Sequence, residues 1–542
     1  MLGLAAFLTG LLAATSANQP QVRPAAVPPR LIVVVSIDQL SADLFDDYRP
    51  QFTGGLARLA SGTAFRNGYQ AHAATETCPG HSTILTGSHP THTGIIANTW
   101  VDQSVQRSDK TVYCAEDERV AGSSTTSYTV SPLHLRAQTL GDILKQRSPQ
   151  SLNVAVAGKD RAAVMMGGHT VDQRWFWDGK KFASDNKSAV VPATVAKANT
   201  AVAASLAAAR EPLALPPFCQ AKATPYALAP QLTVGAGRFA RAAGDVRGFR
   251  MSPEYDGAVL AIAAGLVQEL RLGRDAAPDV ISVGLSATDY VGHGFGSGGA
   301  EMCLQLLSLD KDLGSFFNVL DTEGIDYSVV LTADHGGMDI PERLRAKGVA
   351  NATRADPGLG TAVLGKAIAA KLKLSGPALL GDLANDVWID SSLAPRDRTR
   401  VEREAVAFYE AHPQVEAVFT SRQIGRIPLP TGSPDKWSIG QMVRASYDRQ
   451  RSGDLYVVLK RNVSPIVSPG VGYVATHGSV WDYDRRVPIL FWRRGMRSAL
   501  REDHISTVNI LPTIAAQIGL ALPAGLDGRC LNGVEGVACS VR

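Results

Sequence analysis

Leu31-Ile32-Val33-Val34-Val35-Ser36-Ile37-Asp38 decides how the rest of the chain is read. Seven residues of mostly β-branched character, with no polar alternation, suit a strand buried on both faces of a parallel sheet. Similar apolar runs recur at 153–157, 280–285, 327–332 and 487–492, and helical patterns lie between them. In one of these, Ser252 takes the cap position, Pro253 opens the helix, and Val259, Ile262, Leu266 and Leu270 form one face. Strands alternating with helices predict an α/β fold, a doubly wound and mostly parallel sheet with helices on both faces. Ligands of such sheets bind beyond the carboxyl ends of the strands. The strand exits carry Asp38, Lys159, Thr288-Asp289 and Asp334-His335, which makes that edge the place to look for chemistry.

The chain has 542 residues, more than one small core needs, so insertions or a second domain are expected. A net charge of +4 without basic runs gives no case for nucleic acid as a dedicated partner. Residues 1–17 read as a signal peptide, with Thr15-Ser16-Ala17 as the cleavage site. That run lacks a basic n-region, and an N-terminal membrane anchor is the competing reading. No other segment approaches the length of a membrane span. The expectation is an exported protein, periplasmic or extracellular, without stable membrane insertion after cleavage. Six cysteines form no CxxC pair, which argues against a finger-type zinc site and for disulfides. Cys530 and Cys539 suit a local loop. Cys78–Cys114 with Cys219–Cys303 is one completion among several.

Residues 339–469 are richer in charge, carry an amphipathic helix at 395–412 and include the strand-like DLYVVLK. They interrupt the strand–helix series and read as an inserted cap subdomain. The catalytic domain is then 30–338 plus 470–542. A second insertion at 180–247 is rich in Ala and Pro. The segment from Asp503 to Leu531 reads as a closing helix and tail.

The stretch AHAATETCPGHSTILTGSHPTHTGIIANTW, 71–100, reads as a loop carrying Thr77, a helix opening at Cys78-Pro79, and a turn ending at Asn98. Thr77 then sits at a helix mouth, where free N–H groups and the macrodipole favour an anion. A threonine hydroxyl needs such activation to act as a nucleophile. Asp289 and His293, four apart, face the same way on a helix. Together with Asp38, Asp334, His335, His477 and Thr77 they form a set of oxygen and nitrogen ligands without thiolate, which suits zinc. The natural partition is two ions, one on Asp289, His293 and His477 and one on Asp38, Asp334, His335 and Thr77. Two metals about 4 Å apart clamp an in-line phosphoryl displacement. Lys159 and Arg161 supply cations for the non-bridging oxygens, and Asn98 an amide donor.

These motifs together resemble the alkaline phosphatase superfamily: SIDQL, ETCPGH, GIIAN, GKDR, TDYVGH, ADHGG and THGSVWDYDRRVPI. The nearest likeness is to its threonine-nucleophile, phosphate-irrepressible alkaline phosphatases. That resemblance implies two Zn2+ ions, a covalent phosphothreonine intermediate and hydrolysis of small phosphate monoesters with broad specificity. It also implies that Lys159 takes the place of the catalytic Mg2+ of serine-type enzymes, so none is expected. Nucleotide pyrophosphatase/phosphodiesterases share the threonine and both metal sites but lack the Lys/Arg pair. A monoester dianion gains from two cations where a diester has one fewer anionic oxygen, so Lys159 and Arg161 favour monoesters. The sulfatase frame needs Cys or Ser where Thr77 stands, and Cys78 is out of register. A binding protein without turnover is the remaining reading, and it has no need of Thr77.

Overall fold

The computed structural model describes residues 27–539, so the expected signal peptide lies outside the described residues. Nine strands form the main sheet in the order Ala499–Ser506, Thr63–Tyr69, Arg486–Arg493, Tyr327–Thr332, Leu31–Ile37, Asp279–Leu285, Asn153–Ala157, Gln173–Trp177, Phe182–Ala183. The Leu31–Ile37 strand is central, parallel to both neighbours, and wholly buried. Its side chains divide as the two-residue period of a strand requires. Leu31, Val33, Val35 and Ile37 join one core cluster, with Leu266 of the Pro253–Glu269 helix and Leu313 and Phe317 of the Ala300–Thr322 helix. Ile32 and Val34 join the opposite one, with Ile84, Ile143 and Ile514 from three further helices. The α/β sheet with helices on both faces therefore stands.

The sheet is mixed, however. The 487–492 run, expected to be parallel, pairs antiparallel with both Tyr327–Thr332 and Thr63–Tyr69. The DHIS segment expected to begin a closing helix is the end of the edge strand Ala499–Ser506, and the helix starts only at Ile510. Thr63–Tyr69 escaped notice because Arg66 and Asn67 interrupt its apolar pattern near the sheet edge. Ser252 holds the expected cap position, yet its hydroxyl donates to the Phe249 carbonyl instead of accepting from the helix.

A separate four-stranded antiparallel sheet, Leu379–Gly381, Asn385–Ile389, Leu455–Leu459 and Val415–Thr420, lies within 339–469. Helices Thr361–Leu372 and Pro395–Ala411 cover one face through Leu364, Ile368, Val401 and Tyr409. From the other face, Tyr456 and Val458 pack with Ala71, Ala73 and Val480 beside the strand exits. In 180–247, the Ala193–Ala207 helix lays Val195 and Val202 on the main core, and Cys219 is bonded to Cys303. The other disulfides are Cys78–Cys114 and Cys530–Cys539. Among the described residues no helix is long and apolar enough to cross a membrane.

One carboxylate far from the site holds the helix Gly55–Ala60 in place. Asp310, 3% exposed, accepts from the backbone N–H groups of Thr53 and Gly54 on one oxygen and of Leu56 and Ala57 on the other. A Cβ on Gly54 would lie 2.3 Å from the Asp310 carbonyl oxygen, so the approach needs glycine. Asp310→Ala strands four donors at the helix start, that of Leu56 buried and the others partly so, and should lower unfolding stability by about 3 kcal/mol, read from urea midpoints at unchanged activity.

Candidate active site

Four parallel strands end at one edge, in register: Ile37 lies beside Leu285, Ser36 beside Thr332, and Gly284 beside Ala157. The residues that follow each strand are therefore neighbours. Asp38, Lys159 and the Asp334-His335 pair leave the sheet directly. Asp289 and His293 come from the helix Ala287–Phe295, whose start is fixed by Asp256 accepting from Ser286 N–H and Ala287 N–H at 2.8 and 2.9 Å. His477 arrives from a loop.

Two groups of candidate metal ligands result, Asp289/His293/His477 and Asp38/Asp334/His335, each with ligand atoms within 4.8 Å of one another. Their imidazoles are oriented alike. Nδ1 of His293 lies 2.8 Å from the Ala475 carbonyl, Nδ1 of His477 2.8 Å from that of Thr75, and Nδ1 of His335 2.8 Å from that of Gly336. A carbonyl only accepts, so each Nδ1 carries a proton, and Nε2 is the nitrogen each ring has left to offer as a ligand. Those nitrogens face carboxylate oxygens: Nε2 of His293 and of His477 stand 3.3 and 3.4 Å from Asp289 Oδ1, and Nε2 of His335 3.4 Å from Asp38 Oδ1. Asp38 Oδ1, Asp289 Oδ1 and His335 Nε2 are buried with no hydrogen-bond partner. Nitrogen and oxygen ligand atoms converging around unpartnered, buried carboxylate oxygens fit a bound cation at each group.

Thr77 is the first residue of the helix Thr77–Thr86, one position earlier than expected, and Pro79 is its third. Pro79 still falls among the positions whose N–H has no intrahelical partner; the first such bond is Gly80 N–H to Glu76 O. A Cβ on Gly80 would meet the Asp334 carbonyl oxygen at 2.0 Å, so only glycine lets this helix lie against the Asp334 exit. Lys159, 3% exposed, places Nζ 2.5 Å from both Asp38 Oδ2 and Asp289 Oδ2 and 3.4 Å from the Thr77 hydroxyl. Burial works against its charge, but Asp289 and Asp38 more than compensate and raise its pKa above the ordinary lysine range. Arg161 Nη2 also lies 3.4 Å from the Thr77 hydroxyl. Asn98 accepts from Cys78 N–H at 2.8 Å through its side-chain oxygen, which leaves its amide hydrogens to donate. All ten residues singled out in the sequence thus collect around one strand edge.

The family profile of type I phosphodiesterase / nucleotide pyrophosphatase matches residues 32–480. The chain belongs to that family. Alkaline phosphatase PhoK of Sphingomonas sp is 51% identical over 517 residues, covering 94% of this chain and 92% of PhoK. Alkaline phosphatase PhoD of Zymomonas mobilis is 44% identical, covering 95% of this chain and 90% of PhoD. The crystal structure of wild-type alkaline phosphatase PafA superposes with a TM-score of 0.81 at 24% identity, over 94% of this chain and 100% of PafA, which shows a common fold.

Several residues of this family member's site went unnoticed in the sequence. His81, on the Thr77 helix, sets Nδ1 3.0 Å from Asp334 Oδ2 and 2.9 Å from the Thr77 carbonyl. Glu76 accepts the Asn98 N–H at 2.7 Å, and burial raises its pKa. The Tyr473 ring packs on His293 with centroids 5.2 Å apart, and Tyr113 and Tyr128 reach toward Arg161 through Asp160. Of these, Glu76 and His81 had a signal, their place inside the ETCPGH motif, as did Asp160 inside GKDR. A cavity of ≈ 820 Å3 opens over the site, lined by Glu76, Asn98, Arg161, His293, Tyr473 and His477 on one side and by Asp382, Asn385 and Trp388 of the smaller sheet on the other.

Proposed function

We propose that the chain is an exported alkaline phosphatase that hydrolyses small phosphate monoesters with broad specificity through a covalent phosphothreonine on Thr77. The observation that carries this reading is one hydroxyl at a helix N-terminus with the Lys159 ammonium and the Arg161 guanidinium each 3.4 Å away. Asp289, His293 and His477 would hold one Zn2+, and Asp38, Asp334 and His335 with the Thr77 hydroxyl the other. Bound there, the ions supply Lewis acidity and lower the pKa of the attacking hydroxyl. Thr77 Oγ forms the bond to phosphorus as the bond to the leaving oxygen breaks. Water then cleaves the Oγ–phosphorus bond, and the net products are the alcohol and inorganic phosphate. Arg161 and the Asn98 amide bind the non-bridging oxygens. Lys159 balances Asp38 and Asp289 and faces the same oxygens, the role that removes the need for a catalytic Mg2+. Residues 339–469 form a cap over the cavity and select the leaving group. Three disulfides and the apolar start of the chain support export to the periplasm or beyond.

The family includes phosphodiesterases, and the two activities separate on the cations. Rates on an aryl phosphate monoester and its methyl diester, measured on one metal-analysed sample, should favour the monoester. Lys159→Ala/Arg161→Ala should cost the monoester reaction about a hundredfold or more while the diester rate changes severalfold at most. A wild-type preference for the diester would overturn the assignment.

A further inference from the structure

Arg161 is itself held by a buried chain of hydroxyls. Its Nη1 donates toward the Tyr113 hydroxyl at 3.4 Å. Tyr113 donates to Asp160 Oδ1 at 2.7 Å, and Tyr128 donates to Asp160 Oδ2 at 2.8 Å. The Arg161 N–H, at 2.7 Å, also donates to Asp160 Oδ1. Asp160 is 8% and Tyr113 7% exposed, and the two phenol rings pack at 4.7 Å between centroids.

The polarity of this chain follows from its end. Asp160 Oδ1 accepts the hydrogen bond from the Tyr113 O–H, which turns the phenol's lone pairs toward the guanidinium. One edge of Arg161 is thereby occupied by Tyr113, and the other edge is presented to the Thr77 hydroxyl. Tyr113 is tied to the same machinery through the backbone as well. It ends the Thr111–Tyr113 strand, paired with Thr99–Val101, so Asn98 and Tyr113 stand at the open end of one hairpin, and Cys114 N–H donates to the Asn98 carbonyl at 2.9 Å. The next residue, Cys114, is bonded to Cys78, the neighbour of Thr77. A single excursion therefore delivers the Asn98 amide and braces the arginine opposite it.

We propose that Tyr113, polarised by Asp160, is a positioning residue that fixes the Arg161 guanidinium against the transferred phosphoryl group and so enforces discrimination between monoesters and diesters. The proposal rests on the phosphatase reading above. The chain of contacts sets out from a cation whose value is greatest on a dianionic phosphoryl group, so loss of its brace falls selectively on monoesters.

Tyr113→Phe removes the oxygen and keeps the ring. Expected results are a roughly tenfold fall in kcat/KM for an aryl monoester, weaker competitive inhibition by inorganic phosphate, and a diester rate within about twofold of wild type. In an Arg161→Ala background the same substitution should have no further effect on the monoester. An equal fall in both backgrounds, or an equal fall on monoester and diester, overturns the proposal. Asp160→Asn, which frees the phenol to turn its proton toward Arg161, should reproduce the pattern and serves if Tyr113→Phe does not fold. If it leaves the monoester to diester ratio at the wild-type value, the proposal fails. If Arg161→Ala alone lowers both substrates alike, the phosphatase reading of Arg161 fails instead, a result separate from any for Tyr113.

Discussion

Thr77→Ala removes turnover of an aryl phosphate monoester by about a thousandfold or more while the protein stays folded. The alanine keeps the helix N-terminus and its donors, and alanine is the better helix former, so no structural loss is expected. Lys159, Arg161 and Asn98 remain in place, and inorganic phosphate should still bind, measured by calorimetry, because these groups and the helix end recognise the anion rather than the nucleophile. Thr77→Ser keeps a hydroxyl on the same backbone position and should recover much of the rate. A trapped phosphoryl group on the peptide containing Thr77, seen by mass spectrometry after acid quench, is the direct sign of the covalent intermediate. Undiminished turnover by Thr77→Ala removes Thr77 from the mechanism, and phosphate binding without turnover in the wild type identifies a binding protein.

Stripping metal with a strong chelator should abolish activity, and Zn2+ should restore it more fully than Mg2+, as the oxygen and imidazole donor set requires. A second effect should accompany it. Three carboxylates, Asp38, Asp289 and Asp334, meet in an interior less than 2% exposed, with Lys159 as the cation between two of them. Burial first, and then repulsion from Asp289 and Asp334, pushes the Asp38 carboxyl well above the usual carboxylate range despite the Lys159 ammonium. Ions that bind only the folded chain stabilise it by mass action, about 4 kcal/mol per site at a thousandfold excess over Kd. The thermal midpoint should therefore fall on chelation and return with the metal. Full activity at negligible metal content refutes the two-ion reading.

Much of this was legible in the residues. The central strands announced themselves because burial on both faces demands an unbroken β-branched run, as at Leu31–Ile37. Ala499–Ser506 is the edge strand and Thr63–Tyr69 the one beside it, and they carry Arg, Asn, Glu and Asp that erase the pattern. The antiparallel sense of Arg486–Arg493 was hidden for another reason: an apolar run reads the same in either direction. At the site, most motif-bearing residues stand out in the sequence, Asp160 of GKDR among them, whereas Tyr113 and Tyr128 and their meeting with Asp160 do not. Two phenols and a carboxylate spread over residues 113–160 have no spacing signature, since their meeting depends on where the Thr111–Tyr113 hairpin folds back.

Which atoms bear the chemistry is written locally, in short apolar runs that stop at a ligand or a cation, because a parallel sheet binds its ligands beyond the carboxyl ends of its strands. How those atoms are aimed is not local. The backbone carbonyls of Ala475, Thr75 and Gly336 hold the histidine Nδ1 protons, and Asp160 sets the direction of the Tyr113 hydroxyl, through contacts between segments far apart in the chain. Proton placement in a dry site is decided by the nearest acceptor, and which acceptor is nearest is known only once the chain has folded.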